Sequence, residues 1–202
     1  MLKVRTLPVG AIATNCYLVF DDVSQSLCII DPGAEGKLIA AAAREFAPRK
    51  MQILLTHAHV DHISGIGELV KELPGTPVWV HPGDLELYLS PDNALEPYLP
   101  AAQGLPDPEA KTPEFPGMKI LHLPGHTPGG VGYYFAAEKM LFSGDTLFDG
   151  SVGRTDLPGG DWDTLKNAIK QTLFALPEDV RVFCGHGPST TVGKEKHGNP
   201  YL

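Results

Sequence analysis

Five short apolar runs in this 202-residue chain each end in a tight turn that carries an aspartate or a histidine. They are Cys28-Ile-Ile-Asp31-Pro-Gly, Ile53-Leu-Leu-Thr-His57, Ile120-Leu-His-Leu-Pro-Gly-His126, Met140-Leu-Phe-Ser-Gly-Asp145 and Val182-Phe-Cys-Gly-His186. Apolar runs this short, bounded by Gly and Pro, read as buried strands. A sheet holds side chains rigidly at its strand ends, and the Gly or Pro turns the chain away so that the donor faces a cleft. The repetition predicts a sheet-rich α/β chain with one assembled site.

Between these runs the pattern alternates. Residues 3–9, 16–20 and 27–30 read as a strand meander, with turn chemistry at Gly10 and at Asp21-Asp22. An alanine-rich helix is predicted over 37–46, a second over 63–73 ending at Pro74-Gly75, and a strand over 78–80. From about Ser90 to Pro116 prolines recur and periodicity is lost, as in an irregular excursion or a lid. Strands follow at 120–123, 131–135, 140–142 and 180–183, with a helix carrying Leu165, Ile169, Leu173 and Leu176, capped by Asp161 or Asp163. Several strand-to-strand connections precede each helix, which excludes a doubly wound parallel sheet.

The densest donor cluster is Thr56-His57-Ala58-His59-Val60-Asp61-His62. In extended backbone His57 and His59 lie on one side and can grip one cation as neutral imidazoles, while Asp61 and His62, at the entrance of the next helix, reach a second. Imidazole with carboxylate suits Zn²⁺, Fe or Mn rather than Ca²⁺ or Mg²⁺. His126, Asp145 and His186 supply the further donors of a two-metal site. His81, His122 and His197 are given no ligand role: a loop or helix start, a core or sheet-surface position, and the tail.

Composition narrows the partners. Lys+Arg 16 against Asp+Glu 24 leaves a net charge of −8, which disfavours a nucleic-acid partner. With 43% hydrophobic and 20% charged residues, the 22 Gly and 19 Pro mark ordered turns rather than disorder. No run approaches the ~18 apolar residues of a membrane span, and the N-terminus does not read as a signal peptide. Cys16, Cys28 and Cys184, each in an apolar stretch, are expected as reduced buried thiols. A cytoplasmic location is expected.

His57-Ala-His-Val-Asp-His62, followed by Gly125-His126-Thr127, Ser143-Gly144-Asp145 and Gly185-His186, resembles the motif set of the metallo-β-lactamase superfamily across nearly the whole chain. The stretch Phe148-Asp-Gly-Ser-Val-Gly-Arg-Thr-Asp-Leu-Pro-Gly-Gly-Asp161 and the ending Gly185-His-Gly-Pro…Glu195-Lys…Asn199-Pro200 resemble the short bacterial hydroxyacylglutathione hydrolases, or glyoxalase II. The resemblance implies a four-layer αββα sandwich, a form of α/β (α+β) fold, filling residues 1–202 as a single domain. It would lack the helical C-terminal domain with which longer glyoxalase II enzymes hold glutathione. It implies that His57, His59 and His126 hold one metal, that Asp61, His62 and His186 hold a second, and that Asp145 bridges them. Asp31 would orient the ligand loop from behind.

The implied activity is hydrolysis of S-D-lactoylglutathione or a related thioester to a 2-hydroxy acid and glutathione, a step of methylglyoxal detoxification. The cofactors would be two divalent ions, Zn first, with Fe or Mn as alternatives. Paired cations roughly 3.5–4 Å apart generate hydroxide at neutral pH; Asp61 can also take the nucleophile's proton. Arg154, Lys194 and Lys196 are the candidate substrate contacts, and Tyr133 is expected in the core or at the rim. A persulfide dioxygenase with one iron on His57, His126 and Asp145 is the nearest rival; a non-enzymatic metal-binding or interaction protein on this fold is another. A β-lactamase is disfavoured because the resembling zinc lactamases carry Cys at the position of Asp145, and a nuclease because no basic face is evident.

Overall fold

The computed structural model describes residues 1–202, which fold as two units, Met1–Pro116 and Gly117–Leu202. The first unit holds a mixed sheet in the order β1-β2-β3-β4-β5. Strands β1 (Leu2–Val9), β2 (Thr14–Asp21) and β3 (Ser26–Ile30) form the expected antiparallel meander. Its second turn is closed by the Asp21 carboxylate, which accepts from the amide of Ser24 at 2.8 Å. Strands β4 (Lys50–Leu54) and β5 (Val78–Trp79) then run parallel to β3.

Helices α1 (Gly36–Arg44) and α3 (Ile66–Glu72) make the crossovers of this sheet. Ile39, Ala43, Ile66 and Leu69 share one fully buried cluster with Leu18, Leu27, Ile29, Ile53 and Leu55. Each such Leu or Ile contributes about 1.5–3 kcal/mol by leaving water. Small residues let the helices close in: a Cβ on Gly36 would lie 2.5 Å from the Leu69 nitrogen and 2.6 Å from the Gly65 carbonyl oxygen.

The single helix predicted over 63–73 is two. Helix α2 (Val60–Ile63) stops and α3 begins after Gly65, whose amide donates to the Pro32 carbonyl at 2.9 Å. A Cβ there would sit 2.5 Å from that same oxygen. The break comes from the approach of the Asp31–Ala34 loop, which a periodicity argument cannot register. Beyond β5 a short helix, α4 (Leu85–Leu89), follows a 3₁₀ turn at Pro82–Asp84. The proline-rich stretch is irregular as expected, and the Tyr88 hydroxyl pins it by donating to the Pro106 carbonyl at 2.9 Å.

The second unit repeats the theme in the order β12-β11-β8-β7-β6. Strands β6 (Met118–His122), β7 (Val131–Phe135) and β8 (Met140–Gly144) are antiparallel, and β11 (Arg181–Cys184) lies parallel to β8. The connection carries a hairpin of β9 (Leu147–Phe148) and β10 (Ser151–Val152), then α5 (Trp162–Ala168). Asp161, not Asp163, caps α5 by accepting from the Thr164 amide at 2.8 Å. The helical path continues as a π turn over Ile169–Leu173, keeping Leu165, Ile169 and Leu173 buried. The hairpin, β12 (Thr190–Thr191) and α6 (Val192–Gly198) are too short to leave a periodic signature, and the last two occupy what reads in the sequence as a tail.

Strand direction places the donors. Because β3 and β4 are parallel, Asp31 and His57 follow the same end of their sheet. In the second sheet β6, β8 and β11 share a direction, so His126, Asp145 and His186 follow one end as well. All three cysteines are buried and none forms a disulfide, and burial pushes the Cys184 thiol up to about 12. Tyr133 is core, with no exposed surface.

Candidate metal centre

The donors of the first unit are built around Asp31, which sits at φ +52° immediately after β3 and is 1% exposed. One carboxylate oxygen accepts from the Thr56 amide at 2.7 Å. The other accepts from the Thr56 hydroxyl at 2.6 Å and from His62 Nδ1 at 2.9 Å. The Thr56 hydroxyl has spent its proton on Asp31, so its oxygen accepts from His57 Nδ1, 3.0 Å away. Both imidazoles therefore carry their proton on Nδ1, which leaves the Nε2 lone pairs to act as ligands. Asp31, His57 and His62 also lie close enough for a three-donor metal nest, but the oxygens of Asp31 are taken by these donors, so it acts as the acceptor that sets them.

His59 and Asp61 complete this half. His59 is the residue before α2, and Asp61 Oδ2 accepts from the Thr14 hydroxyl at 3.1 Å. The backbone of the loop is held from below: the Ala58 amide, between His57 and His59, donates to Asp84 Oδ2 at 3.1 Å, and Asp84 is completely buried. Losing that acceptor strands a buried amide, at a cost of about 1–3 kcal/mol. Asp84→Ala is expected to weaken metal binding about tenfold or more, as removal of ligand supports generally does. Competitive titration against a chromophoric chelator measures this, and unchanged affinity would strip Asp84 of the role.

In the second unit Asp145 follows β8 directly. Its Oδ2 lies 3.8 Å from His126 Nε2 and 3.6 Å from His186 Nε2. His126 Nδ1 is 2.7 Å from the Arg154 carbonyl oxygen. A carbonyl only accepts, so His126 has the same tautomer as His57 and His62. A cleft of about 450 Å³ opens over these three donors, walled by Phe148, Val152 and Arg154.

The candidate substrate cations are differently placed. The Arg154 guanidinium makes two 2.7 Å bonds to Asp156, and that pairing holds the Asp156 carboxyl down at about 2. Lys194 pairs with Asp149, which lies in the cleft wall. Lys196 points elsewhere, to the Phe174 carbonyl at 3.3 Å and Glu178 at 3.6 Å. Of the bystander histidines, His81 accepts from the Gly83 amide, His122 bonds the Pro128 carbonyl, and His197 reaches Glu178.

Sequence reasoning passes over Thr14, Thr56, Asp84, Gly33 and Gly153. Thr56 adjoins the histidine cluster and Gly33 closes an Asp-Pro-Gly turn, so both had a local signal. Asp84 and Gly153 had none. A Cβ on Gly153 would fall 1.9 Å from the Asp145 carbonyl oxygen.

The donor set fits divalent metal. Three imidazoles, each engaged through Nδ1, turn Nε2 outward, and that of His62 is 3.3 Å from Asp61 Oδ2. Two acceptors so close repel each other unless a proton or a metal cation lies between them. Nε2 of His59, Nε2 of His62 and Oδ1 of Asp145 are buried atoms that make no hydrogen bond, although all three residues have other contacts. Nitrogen and carboxylate donors without thiolate match Zn²⁺ or Fe.

Residues 9–186 match the model of the metallo-beta-lactamase superfamily. The chain belongs to that superfamily. It is 38% identical to the hydroxyacylglutathione hydrolase GloC of Haemophilus influenzae (strain ATCC 51907 / DSM 11121 / KW20 / Rd), over 100% of this chain and 98% of that one. Among solved structures, TTHA1623 in a di-iron-bound form superposes with a TM-score of 0.87 at 40% identity, covering 98% of this chain and all of that one. The BLEG-1 B3 metallo-beta-lactamase gives 0.85 at 34% identity, covering 99% of each chain. The metallo-β-lactamase fold is thus the fold of this protein, each unit being a mixed sheet with helices. Superfamily membership makes it a metal-binding protein of the hydrolase type, and no helix is long and apolar enough to cross a membrane.

Proposed function

We propose that this protein is a metal-dependent thioester hydrolase acting on S-D-lactoylglutathione or a related acyl-glutathione. The observation that carries the metal chemistry is the network in which Asp31, Thr56 and the Arg154 carbonyl turn the Nε2 atoms of His57, His62 and His126 outward as ligands. The thioester reading is supported by the full-length likeness to GloC.

In this reading His57, His59 and His126 would hold one cation, Asp61, His62 and His186 a second, and Asp145 would serve both. Two bound divalent ions, Zn first and Fe or Mn otherwise, would supply hydroxide at neutral pH and polarise the carbonyl under attack. The Thr14 hydroxyl holds one oxygen of Asp61, and the carboxylate takes the proton of the attacking water. A thiolate leaves with little acid assistance. Phe148 and Val152 shield one side of the substrate from water, and Arg154 and Lys194 meet its carboxylates in competition with Asp156 and Asp149. Lys196, held at Phe174 and Glu178, contributes least. A cytoplasmic location accords with a glutathione-derived substrate.

Metal analysis of the purified protein, paired with a hydrolysis assay on S-D-lactoylglutathione, tests the reading. About two metals per chain with release of D-lactate and glutathione is the expected result. One iron per chain with oxygen uptake on glutathione persulfide would replace it with a dioxygenase. Turnover confined to a lactam would replace it with a β-lactamase. Full metal with no turnover on thioester, persulfide or lactam would leave a non-catalytic metal-binding protein.

A further inference from the structure

Helix α6 carries a buried carboxylate outside the donor set. Glu195 is 1% exposed although its helix has only seven residues. Its Oε1 accepts from the Thr190 hydroxyl at 2.5 Å. Its Oε2 accepts from the Gly150 amide at 3.0 Å and from the Asn199 side-chain amide at 2.8 Å. That Asn199 nitrogen also donates to the Ser151 carbonyl at 3.0 Å, and Lys194, next in the chain, pairs with Asp149. Three successive residues, Asp149, Gly150 and Ser151, are thus tied to the α6 segment.

Asp149 and Gly150 form the tip of the β9–β10 hairpin and Ser151 opens its return strand, in a ladder of only Phe148↔Ser151 and Leu147↔Val152. An isolated two-stranded ladder is at best marginally stable, and one this short needs outside support. The same hairpin walls the cleft over His126, Asp145 and His186 with Phe148 and Val152, and the Phe148 ring centroid is 6.3 Å from that of His186. We infer that Glu195 is a positioning residue that fixes the hairpin wall of the substrate cleft, and so sets affinity for substrate rather than the rate of the chemical step. The kinetic half of this inference rests on the thioesterase reading; the structural half does not. Glu195 accepts from the Gly150 amide directly and holds the Asn199 amide that donates to the Ser151 carbonyl, so its carboxylate ties the hairpin to α6 where the ladder is weakest.

The test compares Glu195→Ala, Glu195→Gln and Asn199→Ala in the metal-loaded protein. Glu195→Ala is expected to raise KM for the thioester about tenfold with kcat within about twofold, from the loss of several hydrogen bonds. Metal content stays unchanged, and amide exchange over residues 148–152 accelerates while α5 exchanges as before. Glu195→Gln restores all of these, because its NH₂ can donate to the Thr190 oxygen while its carbonyl oxygen accepts from Gly150 and Asn199. Asn199→Ala shifts KM and exchange in the same direction by less, and decides the matter should Glu195→Ala not fold. Wild-type KM and exchange in the alanine variants overturns the inference, as does a fall in kcat or metal content at constant KM. If the wild-type protein turns over no thioester, the functional reading fails, while exchange at the hairpin still decides whether Glu195 braces it.

Discussion

Replacing Asp145 with Ala is expected to remove bound metal and thioester turnover together, lowering kcat/KM by about a thousandfold or more. The carboxylate stands within 4 Å of two imidazole nitrogens, His126 Nε2 and His186 Nε2. Its removal leaves those acceptors without the negative charge that neutralises a cation beside them. A metal centre contributes several kcal/mol of charge stabilisation to the transition state, and a thousandfold corresponds to about 4 kcal/mol. The fold should survive, because Asp145 is a strand-end residue whose own backbone environment is unchanged. Metal analysis and turnover on the same preparation read the outcome, with thermal melting as the control. Activity retained at full metal occupancy would remove Asp145 from its proposed place between the cations.

The second large effect is structural. Gly33→Ala places a methyl group 1.7 Å from the Asp61 carbonyl oxygen and 2.7 Å from the carbonyl carbon. Both are backbone atoms, so the Asp31 loop and the start of α2 must separate. Overpacking of this kind costs about 3 kcal/mol, or roughly 6–12 °C in Tm for a chain of this size. The displaced start of α2 carries Asp61 and His62, so metal affinity falls with stability. Gly198→Ala, where nothing lies within 4 Å, is the matched control and should remain within about 1 kcal/mol of wild type. Differential scanning calorimetry of the two proteins checks this; equal melting would show that the loop yields more easily than its packing implies.

Much of this was legible in the chain. The five apolar runs ending in Asp31, His57, His126, Asp145 and His186 do become strand ends, because short apolar segments between Gly and Pro have few other ways to bury themselves. The order of His57, His59, Asp61 and His62 named a metal chemistry without any geometry. What was not legible depends on partners far along the chain. Asp31 meets His62 across 31 residues, Ala58 meets Asp84 across 26, and Gly150 meets Glu195 across 45. None leaves a periodic mark. Arg154 shows the difference well: its side chain is spent on Asp156, a pairing readable two residues away, whereas its carbonyl sets the tautomer of His126 from 28 residues off.

The sequence by itself therefore determined the donor types, their order and their placement at strand ends, since those follow from local hydrophobic pattern and turn chemistry. Only the tertiary structure decided which nitrogen of each imidazole faces outward, where a helix must break at Gly65, and what holds the hairpin beside the donors. Each of these turns on a hydrogen bond or a close backbone approach between segments distant in the chain, and such partners exist only once the strands have paired.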